Sequence, residues 1–181
     1  MVITMDKGLI HIYMGGGKGK TTSAMGLAMR CHGSGKCVYV VQFLKTSPTG
    51  EVNLIEAMQR DDFKVFRFET QHGFFPQMNA EQRVKLQAET EQALGFIAEC
   101  MKDGKCDMLV LDEVLGAAEN GLISASRLID IMHAKPKNME LVLTGRIAPH
   151  EVIAAADYVT EMVAHKHPYE QGIPARKGIE Y

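Results

Sequence analysis

Tryptophan is missing from this chain of 181 residues. So is any C-x-x-C pair among its four cysteines, Cys31, Cys37, Cys100 and Cys106. Without that spacing neither a zinc ribbon nor a disulfide framework is indicated, and the thiols read as small buried hydrophobes in a reducing compartment. Charge of one sign is also lacking. The formal net charge of −2 argues against a basic nucleic-acid binder. No apolar run approaches the roughly 20 residues of a membrane span, and nothing near the N-terminus reads as a signal peptide, because the apolar stretch Leu9–Met14 is short and ends in glycines. Low-complexity linkers and internal repeats are absent too, so the expectation is one cytoplasmic domain over 1–181, with a polar tail over 164–181.

What is present is a globular composition, 46% hydrophobic and 23% charged, in which strand and helix patterns alternate. Strands are expected at Gly8–Met14, Cys37–Leu44, Phe63–Phe68, Met108–Leu111, Leu141–Leu143 and Tyr158–Val163. Helices are expected from Lys20 to about Cys31, over Glu51–Gln59, from a cap at Asn79 (with Gln82 completing a capping box) to a stop at Gly104, from Ser124 to Ala134, and over Pro149–Ala156. The run CVYVVQFL is apolar throughout, as in a strand buried on both faces. The alternation predicts an α/β fold, a mostly parallel sheet covered by helices on both faces, with ligands at the carboxyl ends of its strands.

Two motifs fall on that edge. The first is MGGGKGKTT, Met14 to Thr22. Glycines Gly15, Gly16, Gly17 and Gly19 let successive N–H groups point at phosphate oxygens, and the helix that follows adds its positive N-terminus. Lys20 can reach outer phosphate oxygens, Thr21 suits a magnesium ion, Thr22 follows it into the helix, and Lys18 adds a second cation. Against the template G-x-x-x-x-G-K-[ST], the loop is one residue short, since Met14 stands where the first glycine belongs. The second motif is CDMLVLDE, an apolar strand ending in Asp112 and Glu113, the arrangement by which a neighbouring strand brings a carboxylate to magnesium. Arg146, in LTGR, is the only arginine just past a buried strand. His165 and His167 form an H-x-H, but Lys166 and Pro168 make a polar segment the better reading than a metal site. These residues predict binding of a magnesium nucleotide and leave the reaction open.

The chain also resembles the corrinoid adenosyltransferases of cobalamin synthesis and salvage almost end to end. The matching stretches are GGGKGKTT (the family usually has asparagine where Gly16 stands), VVQFLK at Val40–Lys45, Gly50–Glu51, LVLDE, LTGR and the ending KHPYEQGIPARKGIEY. The resemblance implies a P-loop (RecA-like) fold that transfers the 5′-deoxyadenosyl group of MgATP to Co(I) of a reduced corrinoid and releases triphosphate. ATP then lies reversed in the loop, and the cobalt is its own nucleophile, which explains why no activated serine, histidine or cysteine is evident. By the same resemblance Glu113 is the metal carboxylate, with Asp112 beside it as second choice, and Phe74 and Phe75, in HGFFP, hold the corrinoid with its lower ligand removed. Relatives often carry tryptophan where Pro76 stands. A loop anchored into the core by these phenylalanines fits the sequence equally well. A homodimer and a flavoprotein electron donor are further implications. The alternatives are a P-loop kinase or ATPase, and a non-enzymatic ATP-gated corrinoid carrier.

Overall fold

The computed structural model describes residues 7–47, 49–70 and 75–181. Six strands, β1 (Ile10–Met14), β2 (Val38–Gln42), β3 (Phe63–Arg67), β4 (Met108–Asp112), β5 (Glu140–Thr144) and β6 (Tyr158–Glu161), form one sheet in the order β3-β2-β4-β5-β1-β6. Every pairing is parallel. Among the described residues the α-helices are α1 (Lys20–Gly33), α2 (Gly50–Ala57), α3 (Ala80–Asp103), α4 (Val114–Glu119), α5 (Ala125–Ala134) and α6 (His150–Ala154). No described helix is long and apolar enough to cross a membrane.

The central strands are buried on both faces, as their unbroken apolar runs require. Side chains of alternate parity feed two cores. Val38, Val40, Met108, Val110 and Val142 meet Ala24, Met25 and Ala28 of α1 and Ile55 of α2. Val41, Leu109, Leu111, Leu141 and Leu143 meet the apolar stripes of α3 through α6, including Leu86, Ile97, Leu115, Leu128 and Val152. The long helix α3 starts at the expected capping box: Asn79 accepts the Gln82 N–H while the Gln82 side chain accepts the Asn79 N–H. It ends at Gly104 in the left-handed conformation. Helix α4 was not expected, because VLGAAE is short and follows β4 without a polar cap; its N-cap is Glu113.

One expectation needs correction. The strand carrying Asp112 is not the neighbour of the strand carrying the glycine loop, because β5 stands between β1 and β4. The chain leaves β1, crosses β5 and β4 on α1, and returns as β2. That crossing opens a crevice at the strand ends, the place where open α/β sheets bind ligands. It also lays the start of α1 over β4, so that Thr21 reaches Asp112 although their strands do not pair.

Candidate active site

The glycine loop is pinned at both sides. The Gly15 N–H donates to the Arg146 carbonyl at 2.9 Å, and the Gly17 N–H donates to the Met162 carbonyl at 2.7 Å. A Cβ at Gly15 would stand 2.5 Å from the Met162 oxygen and one at Gly17 2.6 Å from it, so both positions need glycine for close approach to the end of β6. A Cβ at Gly16 would meet nothing within 4 Å. Lys20 folds back over the loop, its ammonium donating to the carbonyls of Gly15 (2.8 Å) and Gly17 (3.0 Å). Burial lowers the Lys20 pKa; Glu113 opposes this and Arg146 and Lys45 add to it. Those cations converge where an anionic chain would lie.

Asp112 is the hub beneath the loop. Fully buried at the end of β4, it accepts four hydrogen bonds. They come from the Thr21 hydroxyl (3.0 Å), the Thr144 hydroxyl (2.7 Å), the Gln42 amide (3.0 Å) and the Lys45 ammonium (2.6 Å). Lys45 also donates to Thr21 Oγ1 at 2.8 Å. An ammonium thus sits between a hydroxyl and a carboxylate, the oxygen donors a hard cation such as magnesium takes. Thr21, Asp112 and the adjacent Glu113 therefore fit that ion, with Lys45 standing in for its charge. Sequence reasoning did not single out Lys45, Gln42 or Thr144. All three meet Asp112 only because β2, β4 and β5 are neighbours.

Glu113 behaves differently. Its backbone has φ 62, a costly conformation for a residue with a Cβ. It is held there by its N–H donating to Thr144 Oγ1 at 2.9 Å. Gly116 leaves room for the carboxylate, since a Cβ there would stand 3.0 Å from Glu113 Oε2. Burial raises the Glu113 pKa, against the pull of Lys45, while Asp112 reinforces the rise. Among the described residues no hydrogen bond to this carboxylate is seen. Asp112 is saturated and positions its neighbours; Glu113 is open to a ligand.

Beside it lies a pocket of about 450 Å³ whose lining includes Lys45, Glu69, Phe75, Glu113, Asn120 and Arg146. Phe75 begins a turn of 3-10 helix, packs on the core, and carries the Arg83 guanidinium over its ring at 4.8 Å. It anchors the loop and lines the pocket at once. Phe74, with His72 and Gly73, lies outside the described residues.

The tail returns to the loop. Glu180 accepts from Lys18 at 2.8 Å, and Ile179 and Glu180 line a small cleft with Gly19, Lys20, Thr21, Thr22 and Glu113. His167 caps a 3-10 turn by accepting the Tyr169 N–H, and no cluster of three or more His, Cys, Asp or Glu side chains placed to hold a metal ion is found among the described residues. All four cysteines are free. Burial pushes the Cys106 thiol up to about 12.

Comparison with known proteins agrees with this geometry. The profile of the family described as ATP:corrinoid adenosyltransferase BtuR/CobO/CobP matches residues 6–181. The corrinoid adenosyltransferase CobA of Salmonella typhimurium is 33% identical, over 97% of this chain and 87% of its own length. The corrinoid adenosyltransferases of Pseudomonas aeruginosa and a Sinorhizobium species are 34% and 36% identical. They cover 97% and 98% of this chain, and 85% and 82% of their own lengths. A phosphate-binding loop one residue short, a buried acid hub and end-to-end similarity lead to one conclusion: the chain belongs to the ATP:corrinoid adenosyltransferase family.

Proposed function

We propose that the crevice at the strand ends is where this chain transfers the 5′-deoxyadenosyl group of ATP to the Co(I) centre of a reduced corrinoid, with the triphosphate as leaving group. The observation that carries the reading is the continuity of two sites. The cleft at the loop and the pocket beside Phe75 share Glu113, so one substrate can hold its phosphates on the loop and present its ribose to the pocket.

The residues divide the work. The loop amides of Gly16, Lys18 and Gly19, with the side chains of Lys20 and Lys18, bind the phosphate chain and take up the charge that grows on it as the C5′–O bond breaks, while Gly15 and Gly17 hold the loop in place. Thr21 and Glu113, with Asp112 beneath, would hold magnesium, whose bound charge adds to that stabilisation. Arg146, fixed by its carbonyl to the loop, faces the same charge from the pocket side. Cobalt supplies the electron pair that forms the new carbon–cobalt bond, so the protein aligns the partners and excludes water without activating a nucleophile of its own. Phe75, and Phe74 with it, shield the lower face of the corrinoid. The chain works in the cytoplasm as a homodimer and draws electrons from a flavoprotein.

The test is anaerobic incubation with MgATP and chemically reduced cobalamin, followed by absorbance. Formation of a cobalt–carbon bond is expected. A spectrum that stays that of Co(I) while the protein binds both ligands would instead mark a carrier.

A further inference from the structure

A line of polar side chains crosses the sheet at its carboxyl edge. Arg67, Gln42, Asp112 and Thr144 are the last residues of β3, β2, β4 and β5. Gln42 stands in register with Arg67 on one side and with Asp112 on the other. Register partners in a sheet share a face, so a guanidinium from the outer strand, an amide and a carboxylate come side by side. They bond in sequence. Arg67 Nε donates to Gln42 Oε1 at 2.8 Å, and Gln42 Nε2 donates to Asp112 Oδ2 at 3.0 Å.

The chemistry of the groups forces the direction of this relay. A guanidinium only donates and a carboxylate only accepts, so the amide between them has one satisfactory orientation. Gln42 is 2% exposed. Without Arg67 its oxygen would be a buried acceptor left unmade, which is costly. Arg67 has little to gain as a structural ion. It is half-buried, no carboxylate among the described residues pairs with it, and its Nη2 is closed to solvent without a hydrogen-bond partner there. The relay also ends on a telling oxygen. Asp112 Oδ1 accepts from Thr21 and Thr144, whereas Oδ2 accepts from Gln42 and Lys45. The Lys45 ammonium stands in for the charge of the ion, so Gln42 is the donor to Oδ2 that does not depend on whether metal is bound.

Resting on the magnesium reading above, we propose that Arg67 and Gln42 are positioning residues: Arg67 fixes the Gln42 amide, the amide fixes the Asp112 carboxylate, and the carboxylate sets the Thr21 hydroxyl in place for the ion. They act on metal affinity from the far side of the sheet, with no contact to the phosphates.

Calorimetric titration of the corrinoid-free protein with ATP, once in excess magnesium and once in EDTA, tests this without turnover. Wild type should bind the magnesium complex more tightly. Gln42→Met and Arg67→Met should each shrink that preference at least ~10-fold, with affinity for metal-free ATP unchanged. Because the two residues act in series, the double variant should lose about as much as Gln42→Met alone. Losses that add, or that fall equally on metal-free ATP, would mark packing at the sheet edge and overturn the relay. If Arg67→Met does not fold, Arg67→Leu takes its place, and Gln42→Met, matched in length, tests the inner half by itself: an unchanged preference there overturns the proposal. The two readings fail differently. If wild type shows no preference for the magnesium complex, the metal reading falls and the relay with it; if wild type shows the preference and the variants keep it, the relay alone is lost.

Discussion

At the scale of single residues, adjacent acids have been given different tasks by burial. Asp112 is enclosed by four donors and holds Thr21, Gln42, Lys45 and Thr144 in register. Glu113 has been left facing Lys20 and Arg146 across the cleft in a strained backbone conformation. Lys20→Ala removes the charge aimed at the phosphates, and Glu113→Ala removes an open carboxylate from the metal side. Each should lower turnover by at least ~100-fold, with circular dichroism showing the fold retained. Near-normal activity of Lys20→Ala would contradict the assignment, because no other loop side chain reaches the same place. Which acid does which task was not legible in LVLDE. The motif shows two carboxylates at a strand end, but saturation of the first depends on side chains from β2 and β5 that only strand order brings near.

At the scale of elements, local signals carried well. The glycine loop, the capping box of α3 and the apolar runs of β2 and β4 all follow from neighbouring residues, and the structure has them close to the expected places. Helix α4 was hidden for the complementary reason: its six residues carry no period long enough to read. Strand order was equally hidden, since an apolar run says that a strand is central without saying beside what. Glu140 shows how such pairing is fixed. At the start of β5 it accepts the Leu9 N–H at 2.8 Å and lies 2.5 Å from His11 Nε2, tying β1 to β5. Burial works against its charge, but His11, the Leu9 N–H and Lys135 prevail and hold its pKa below the usual glutamate value. The unfolded state therefore binds more protons between the folded and unfolded values, and stability rises with pH through that window. The contribution is present above the ordinary glutamate pKa of about 4.3 and is lost as pH falls through the lower folded value. Glu140→Gln should cost about 1–2 kcal/mol at neutral pH in urea unfolding. The gap from wild type should close as the medium is acidified through that window. A gap that does not change with pH would contradict this role.

At the scale of the whole molecule, the polar tail closes on the phosphate loop from the opposite end of the sequence. Nothing in its composition announces this, because KHPYEQGIPARKGIEY reads as a solvated segment until Lys18 and Glu180 are seen to meet at 2.8 Å. Arg176 holds the same carboxylate, and the Glu180 pKa falls to about 2, chiefly through that hydrogen bond and the one from Lys18. The pair is exposed, so it contributes little to stability, yet it occupies Lys18, which the proposed function assigns to the phosphate chain. Glu180→Gln should leave Tm essentially unchanged and lower the KM for ATP severalfold, more at low salt than at high. An unchanged KM would show that Lys18 does not serve the nucleotide.

The central claim, that the shortened loop grips a triphosphate which departs whole, is tested most directly by phosphorus NMR of the products of a single anaerobic reaction with MgATP and Co(I) cobalamin. The account predicts intact tripolyphosphate in equal amount to the adenosylated corrinoid. ADP with a phosphorylated product, or orthophosphate formed in step with ATP loss and no cobalt–carbon bond, would contradict it.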